Sequence, residues 1–331
     1  AWAPRALPPT GRTHVVGILN LTPDSFSDGA RFAAAAAAEP SAPRAGDGRD
    51  ERASRDGRAG SAAFRPDVDA VIALARRMVA DGAAVLDLGA VSTRPGAAPV
   101  SPDEEWARLS PVLAPLRAAV GVPLSLDTTS AAVLERALAV GIDLVNDVSA
   151  LTEDPRMAGL VAVSGLPVVL MHRRGTPATM QLAPSYADAP REVWAELMAA
   201  VARAEAAGIA RERLLLDPGI GFGKRPEDNV ALLATLPRFN AQAHAAGMQT
   251  LLGTSRKAFL GRLIARDGDA PPGTAPAPRP ADEREHATTA TTVLAALAGT
   301  NFVRVHDVRA ATDALAVTAA VCGGVARAPD A

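Results

Sequence analysis

The feature that most constrains the fold is a unit that recurs along the chain. In each copy an amphipathic stretch ends at a glycine, a short apolar run follows, and the run closes on polar residues, as in LAVGIDLVNDVS at 138–149. Each glycine lies where the end of a helix needs a left-handed residue. The seven glycines are Gly82, Gly121, Gly141, Gly165, Gly208, Gly247 and Gly299. Because the apolar runs are nearly continuous, as in strands buried on both faces of a parallel sheet, the unit predicts seven strands, and the opening run at 15–20 adds an eighth.

Eight strands that alternate with helices in a chain of 331 residues fit a closed (β/α)8 TIM barrel of the α/β class. Two doubly wound domains are the alternative, but no GxGxxG follows the first strand, which weakens a dinucleotide-binding interpretation. We expect the barrel to span 14–325, between an N-terminal extension at 1–13 and a tail at 326–331. Segments 33–65 and 267–284 are polar or rich in proline, alanine and glycine, so they are predicted to be mobile insertions after the first and seventh strands.

The composition limits the partners and the compartment. A formal net charge of −2 does not favour binding to nucleic acid or to an anionic membrane. Cys322 is the only cysteine, so an intrachain disulfide is impossible and a reducing compartment is expected. No stretch is long and apolar enough to cross a bilayer, and the N-terminus lacks a signal-peptide core. We therefore expect a soluble cytoplasmic protein that binds neither nucleic acid nor membrane.

Lysine is almost absent from the chain. Only two of the 34 basic residues are lysines, Lys224 and Lys257, and alanine is abundant, which we attribute to a bias toward GC-rich codons. A lysine that persists under such a bias is a candidate for a role that a planar guanidinium cannot fill. The alternative is that both lysines remain by chance.

In a (β/α)8 barrel the active site lies at the C-terminal ends of the strands. Polar residues close each predicted strand here, and any one of them alone could serve only to cap the next helix. Together they include arginines, a lysine and histidines, which a purely structural rim does not need. These residues are Asn20, Asp87, Asp127, Asn146, His172, Asp217, Ser255, Arg256, Lys257, Arg304 and His306.

The cations of this rim cluster on the last two strands. Residues 255–257 follow the seventh strand, and Arg304 and His306 close the eighth, at the usual phosphate corner of such barrels. Arg304 can clamp a diphosphate with two hydrogen bonds, with His306 and the start of the next helix as further donors. The alternative for Arg304 is a structural ion pair with a neighbouring acid such as Asp307.

A second group, Asp127, Asn146 and Asp217, combines carboxylates with a carboxamide. Such a set suits a heterocycle that carries amino and ring N–H groups. The competing interpretation is a magnesium cage, because the ligands are oxygens and the sequence has no cluster of cysteine and histidine at zinc spacing. Asn20 alone could instead hold a Mg2+ ion that is shared with substrate phosphates, because magnesium usually takes few protein ligands.

Two loops near this rim each carry an aromatic residue. The sequence GIGFGK at 219–224 matches no nucleotide-binding pattern and predicts a tight turn that brings Phe222 and Lys224 over the end of the sixth strand. Phe26 lies in the loop TPDSFSDG at 22–29 and is a candidate lid residue, with a packing anchor for that loop as the alternative.

Eight motifs follow one another along the chain. They are GILNLTPDSFSDG (17–29), STRPGA (92–97), SLDTT (125–129), VNDVSAL (145–151), LMHRRGTPATMQ (170–181), LLLDPGIGFGK (214–224), SRKAFLG (255–261) and RVHDV (304–308). Single motifs of this kind are weak signals, but the ordered set is specific and covers nearly the whole chain. In this order they resemble the motifs of the dihydropteroate synthase family, a group of pterin-binding (β/α)8 barrels.

The resemblance implies a transferase of folate biosynthesis. The implied reaction removes diphosphate from 6-hydroxymethyl-7,8-dihydropterin diphosphate, with the help of Mg2+ and cationic residues, and leaves a carbocation that the pterin ring stabilises. The amino group of p-aminobenzoate then adds to this carbocation and gives 7,8-dihydropteroate. Because relatives are typically homodimers, the resemblance implies a homodimer as well.

The resemblance also implies roles for particular residues. The implied pterin-binding residues are Asp127, Asn146, Asp217 and Lys257, with Asp87 less directly involved. The implied diphosphate and metal group is Asn20, Arg94, Arg304 and His306. The implied frame for p-aminobenzoate is Thr93, Arg94, Pro95, Phe26, Phe222 and the start of the helix after Lys257. We expect Lys257, Arg304, His306 and Asp127 to be the catalytic residues among them.

Two positions depart from the family pattern. Many members have a serine directly after the SRK lysine, where this chain has Ala258, so the carboxylate of p-aminobenzoate is left with backbone N–H groups. The acidic residue that often precedes STRPG is Val91 here. The rival functions are a pterin-binding domain of a methyltransferase and a non-catalytic pterin-binding homologue. TPDSFSDG, SRK and RVHD argue against the first, which has no diphosphate to bind, and the intact set of cationic residues argues against the second.

Overall fold

Eight short parallel strands close into a barrel in the order in which they occur along the chain, which confirms the predicted (β/α)8 architecture. The computed structural model describes residues 4–22, 64–92, 97–266, 274 and 276–325. The strands are β1 (His14–Asn20), β2 (Val85–Gly89), β3 (Leu124–Asp127), β4 (Leu144–Asp147), β5 (Val168–Met171), β6 (Leu214–Asp217), β7 (Gln249–Leu252) and β8 (Phe302–Val305).

Helices connect successive strands and bury their apolar residues against the outside of the barrel. They are α1 (Val68–Ala80), α2 (Pro102–Ala119), α3 (Ala131–Val140), α4 (Met157–Ser164), α5 (Ala189–Ala206), α6 (Pro226–Ala234), α7 (Leu236–Ala245), α8 (Ala258–Leu263), α9 (Glu285–Leu297) and α10 (Val308–Val325), with 3-10 turns at Arg211–Arg213 and Ala281–Arg284. Within the described ranges, none of these helices combines the length and the apolar character that crossing a membrane requires.

Six of the seven glycines predicted to end helices have a positive φ, as the left-handed conformation requires. Gly121 is the exception, and the prediction is wrong there. The preceding helix α2 ends at Ala119, and its C-cap residue Val120 has an extended backbone, so no left-handed residue is needed at that junction.

The interior of the barrel has an apolar floor of seven side chains. They come from seven different strands: Val16, Val85, Leu144, Val169, Leu215, Leu251 and Phe302. Leu7, in the N-terminal extension, packs against this floor. The neighbouring Arg5 donates hydrogen bonds to the Asp143 carboxylate (2.6 Å, from its backbone N–H) and to the Val122 carbonyl (2.7 Å). The extension therefore covers the end of the barrel where the strands begin.

The strand register sets the polar strand ends at one level. Asn20 lies opposite Gly89, Gly89 opposite Asp127, and Asp127 opposite Asn146. Since the C-terminal ends of all eight strands meet at the same mouth, this register gathers residues that are far apart in sequence.

The two predicted insertions are described only in part. Residues 33–63 of the first, and 267–273 and 275 of the second, lie outside the described residues. The last part of the second segment has fixed contacts that its composition did not predict. Arg279 donates its backbone N–H to the Gly261 carbonyl (3.0 Å), and Arg284 donates to the carbonyls of Arg279 (2.7 Å) and Arg256 (2.8 Å).

Candidate active site

Alternation along the strands explains which polar side chains enter the mouth. Asp87, Asn146, Asp217 and Arg304 each lie two residues after a member of the apolar floor. Because successive side chains of a strand point to opposite faces, these four stand inside the barrel, one layer above the floor. Asp127 joins them from the end of β3 through an ion pair with Arg304.

Asp87 is the centre of the deepest polar layer and is almost completely buried. Its carboxylate accepts hydrogen bonds from the Ser125 hydroxyl, from the Asn146 side-chain amide (3.2 Å) and from Arg304 Nε (2.6 Å). These bonds fix the direction of the Asn146 carboxamide, because one of its N–H groups is already used. The carbonyl oxygen of that carboxamide is available to face a ligand.

Arg304 links this layer to Asp127, whose carboxylate accepts from Arg304 Nη2 at 3.0 Å. Burial raises the pKa of Asp127 to about 7, the neighbouring carboxylates add to the rise, and Arg304 opposes it. Arg304 therefore does form ion pairs with acids, but the acids are Asp87 and Asp127 rather than the suggested Asp307. The Asp307 carboxylate accepts from the backbone N–H of Ala310 (2.9 Å) at the start of α10.

Lys257 approaches the same space from the loop after β7. A Cβ atom added at Gly253 would lie 3.9 Å from Lys257 Nζ, 3.9 Å from Asp217 Oδ2 and 3.8 Å from Arg304 Cβ, so the three side chains converge around one residue that has no side chain. Lys257 Nζ also donates to the Ile220 carbonyl and lies 4.6 Å from the centre of the Phe222 ring.

Burial and mutual attraction shift the pKa values of Lys257 and Asp217 in opposite directions. Burial lowers the pKa of Lys257 to about 8, while Asp217 pulls it back up. Burial raises the pKa of Asp217, and Lys257 counters that rise. The pair therefore places a cation and an acceptor side by side in a largely dehydrated pocket, which is suited to a flat polar ring.

Ser255 and His306 form the outer part of the cationic side. The Ser255 hydroxyl is 2.9 Å from His306 Nδ1 and accepts the backbone N–H of His306 at 3.2 Å, which joins the loop after β7 to the end of β8. Between Ser255 and Lys257, Arg256 has a left-handed backbone with φ of 56°. Helix α9 supports this conformation, because the backbone N–H of Arg256 donates to the Thr288 hydroxyl (3.1 Å) and its Nε to Glu285 (3.0 Å).

Asn20 is partly buried at the end of β1, beside β2. Within the described part of the chain, no group of three or more histidine, cysteine or acidic residues could hold a metal ion. Four of the predicted substrate residues, Phe26, Thr93, Arg94 and Pro95, lie outside the described residues.

His172, one of the predicted rim residues, points away from this pocket. His172 lies three residues after the floor residue Val169, so alternation turns it outward, and its Nε2 contacts Glu196 at 2.9 Å. Lys224, in the loop after β6, is buried, and its Nζ contacts the Gly219 carbonyl oxygen (2.9 Å) and His172 Nδ1 (2.9 Å). The strand period alone would have placed His172 outside the barrel.

Comparisons with known proteins agree with this geometry. Residues 54–306 match the family model described as pterin binding enzyme. The dihydropteroate synthase of Mycobacterium leprae is 43% identical over 307 residues, which is 92% of each chain. The crystal structure of Yersinia pestis dihydropteroate synthase in a sulfonamide drug complex aligns with a TM-score of 0.75 at 35% identity, covering 94% of this chain and 95% of that one.

A third relative was solved with a small ligand. The structure of Xanthomonas albilineans dihydropteroate synthase with 4-aminobenzoic acid aligns with a TM-score of 0.72 at 38% identity, over 94% of each chain. The family model covers most of the chain, and the sequence and structural matches extend over almost all of it. The chain therefore belongs to the pterin-binding enzyme family and, within it, to the dihydropteroate synthases, which are transferases.

Proposed function

We propose that the pocket around Gly253 joins 6-hydroxymethyl-7,8-dihydropterin diphosphate to p-aminobenzoate. The observation that carries this proposal is the convergence of Asp217, Lys257 and Arg304 on a glycine that leaves space for a ring. Asp127 and Asn146 complete the wall of the pocket.

The pterin is held by its polar edge. Asp217 and the Asn146 carbonyl accept from the amino and ring N–H groups, and Lys257 donates to the ring on the side of the Phe222 face. Asp127, ionised and paired with Arg304, presents a further acceptor. Asp87 acts indirectly, because its hydrogen bonds orient Asn146 and Arg304.

The diphosphate leaves toward the cations. The C–O bond of the pterin methylene breaks and its electron pair stays on the diphosphate, near Arg304, His306 and Ser255, with Arg94 as a further donor. The lone pair of the p-aminobenzoate amine then forms the C–N bond, and its proton is released to water. The residues that surround p-aminobenzoate in this proposal are Thr93, Arg94, Pro95, Phe26 and Phe222. Its carboxylate accepts a hydrogen bond from the backbone N–H of Ala258 at the start of α8.

Asn20 is the proposed protein ligand of Mg2+. Its amide oxygen is a hard donor at the mouth, and magnesium with few protein ligands completes its shell with water and substrate phosphates. Such an ion neutralises charge on the diphosphate when it is bound. We expect chelation by EDTA to weaken binding of the pterin diphosphate but not of the pterin without diphosphate. Equal loss for both ligands, or for neither, contradicts the role of Asn20.

Pterin affinity, measured by isothermal titration calorimetry, tests the pocket directly. Asn146→Leu and Asp217→Asn are each expected to weaken binding about tenfold or more, because a buried polar edge of the ligand loses its partner. Asn240→Leu is the matched control, since this buried asparagine bonds to Ala298 (2.9 Å) and Thr300 (2.9 Å), outside the pocket. Unchanged affinity in both pocket variants rules out this site for the pterin.

The proposed assembly is a cytoplasmic homodimer that binds small molecules and neither nucleic acid nor membrane. Two neighbouring helices support the dimer, because they leave large apolar side chains exposed: Leu294 and Leu297 on α9, and Val317 and Val321 on α10. A second copy of the chain would cover them.

A further inference from the structure

Lys224, the other lysine of the chain, is buried and surrounded by hydrogen-bond acceptors. Its ammonium lies 2.9 Å from His172 Nδ1, 2.9 Å from the Gly219 carbonyl oxygen and 3.0 Å from the Phe222 carbonyl oxygen. The His172 carbonyl oxygen is a fourth acceptor at 3.3 Å, so the three N–H donors of an ammonium group all find partners here. A planar guanidinium directs its donors outward as a fork and does not fit this cage of acceptors.

The loop at 219–224 has no freedom to relax around this cage. Gly219, Gly221 and Gly223 all have positive φ, and a Cβ atom at Gly219 or Gly223 would lie 1.8 Å or 2.6 Å from a backbone oxygen of the segment after β5. The loop is therefore wrapped tightly against that segment around the Lys224 side chain. Burial lowers the pKa of Lys224 to about 7, and Asp217 opposes this shift.

A chain of polar contacts reaches this ammonium from α5. Burial lowers the pKa of His172 to about 4, so its ring is neutral near pH 7. Since Nδ1 accepts from Lys224, the ring proton is on Nε2, which donates to Glu196 at 2.9 Å. Arg174 holds Glu196 in turn through its Nε at 3.0 Å.

The other side of the loop faces the pocket. The Ile220 carbonyl accepts from Lys257 Nζ, and the ring of Phe222 lies 4.6 Å from that nitrogen. A Cβ atom at Gly221 would lie 3.1 Å from Lys257 Cδ. The position of the Lys257 side chain therefore depends on where the loop lies.

We propose that Lys224, aligned by His172 and Glu196, is a positioning residue that holds the 219–224 loop so that Ile220 and Phe222 place Lys257 against the pterin. Lys224 itself touches no substrate. The inference rests on the proposed function of Lys257, so its main test does not depend on turnover.

Nuclear magnetic resonance of the lysine ε-methylene groups provides that test, because a chain with two lysines gives two signals. In Lys224→Met only Lys257 remains visible. Stacking on Phe222 shifts the Lys257 signal by the ring current, and Phe222→Leu supplies the unshifted reference. We expect the Lys257 signal in Lys224→Met to move to that reference and kcat/KM to fall about tenfold or more, or roughly 1.4 kcal/mol. Lys224→Arg is expected not to restore either property.

Arg213→Met is the matched control for lost stability. Arg213 lies directly before β6, whereas the loop at 219–224 follows that strand. The Arg213 guanidinium donates to the carbonyls of Leu166 (2.9 Å) and Val161 (2.6 Å). Its loss should lower the melting temperature without moving the Lys257 signal. A Lys257 signal that stays in place in Lys224→Met, with kcat/KM within about twofold of wild type, overturns the proposal.

Glu196→Ala keeps the proposal testable if Lys224→Met does not fold, because Glu196 is partly exposed and its loss leaves the cage itself intact. It should move the Lys257 signal in the same direction by a smaller amount, and Glu196→Gln, which retains an acceptor for His172, should restore it. No movement in Glu196→Ala contradicts the proposed chain. If the Lys257 signal returns to its wild-type position in Glu196→Gln but turnover is absent, the result counts against the function of Lys257 rather than against the role of Lys224.

Discussion

Lys257 is the residue at which the sequence bias and the geometry agree. Its compact ammonium fits between Asp217, the Ile220 carbonyl and the Phe222 ring. Lys257→Arg is therefore expected to keep the fold and to lower kcat/KM about tenfold or more, roughly 1.4 kcal/mol, because a wide fork collides with one substrate. Arg256→Lys is the control and should lower kcat/KM by less than Lys257→Arg does, since Arg256 supports the turn through its hydrogen bond to Glu285. Wild-type activity in Lys257→Arg contradicts this account.

The pH dependence of kcat/KM follows from two groups of the pocket. Asp127 has a pKa of about 7, and its ionised carboxylate is a stronger acceptor for the pterin N–H groups than the protonated acid, so activity should rise as the pH passes about 7. Lys257 has a pKa of about 8, so activity should fall as the ammonium is lost above it. The profile is a narrow bell. Because arginine stays protonated throughout this range, the residual activity of Lys257→Arg should lack the alkaline limb, and a profile that keeps this limb assigns it to another group.

Arg304 is expected to be costly to remove for two reasons. Arg304→Ala removes a cation near the departing diphosphate and leaves the buried Asp87 carboxylate without its charge partner. The expected loss of transition-state binding is about 2–5 kcal/mol. Arg309→Ala, which breaks an exposed ion pair with Asp313 on α10, is the control and should change little. A value of kcat/KM within about twofold of wild type in Arg304→Ala would rule out the proposed contact between Arg304 and the departing diphosphate.

The residue types of the site could be predicted from the sequence, but their pairing could not. Strand ends identify Asp87, Asp127 and Arg304 as members of one rim, since every apolar run closes on a polar residue. The bond between Arg304 and Asp87 joins positions 217 residues apart and depends on how β8 meets β1 and β2 when the barrel closes. No local pattern contains that information.

At the scale of elements, the strands were predictable because each is a short, mainly apolar run of four to seven residues, and seven of the eight follow a predicted helix-ending glycine. The outward direction of His172 was missed because the end of an apolar run was used without the alternation of faces within it. The contacts of residues 276–284 were missed for another reason. Their composition is that of a flexible segment, and the order comes from hydrogen bonds of Arg279 and Arg284 to the helix and turn that carry Ala258 and Lys257.

The contact between this segment and α8 gives an element-scale prediction. A Cβ atom at Gly261 would lie 2.6 Å from the Arg279 carbonyl and 2.6 Å from Arg284 Nε, so Gly261→Ala should destabilise the protein by about 1–3 kcal/mol through overpacking. Gly159→Ala is the control, because this glycine lies inside α4 and no atom lies within 4 Å of a Cβ added there. Alanine at this position should raise the free energy of unfolding by about 0.5–1 kcal/mol. Thermal unfolding compares the two. A melting temperature in Gly261→Ala equal to that of wild type contradicts the tight contact.

At the scale of the whole molecule, the exposed residues of α9 and α10 predict a dimer interface. Leu297→Asp combined with Val321→Asp should convert the dimer to a monomer in size-exclusion chromatography with light scattering, because two buried charges oppose association. Val163→Asp is the control, since Val163 is 89% exposed on α4, far from this face in sequence. A double variant that stays dimeric, or a wild-type protein that is monomeric, contradicts this interface.

The proposed reaction can be followed by the release of diphosphate from 6-hydroxymethyl-7,8-dihydropterin diphosphate in the presence of Mg2+, measured with and without p-aminobenzoate. We predict that p-aminobenzoate accelerates the release and that one 7,8-dihydropteroate forms for each diphosphate released. Asp217→Asn should lose both products together, because the pterin is no longer held beside Lys257. Release at the same rate without p-aminobenzoate, or no 7,8-dihydropteroate when both substrates are present, would contradict the account.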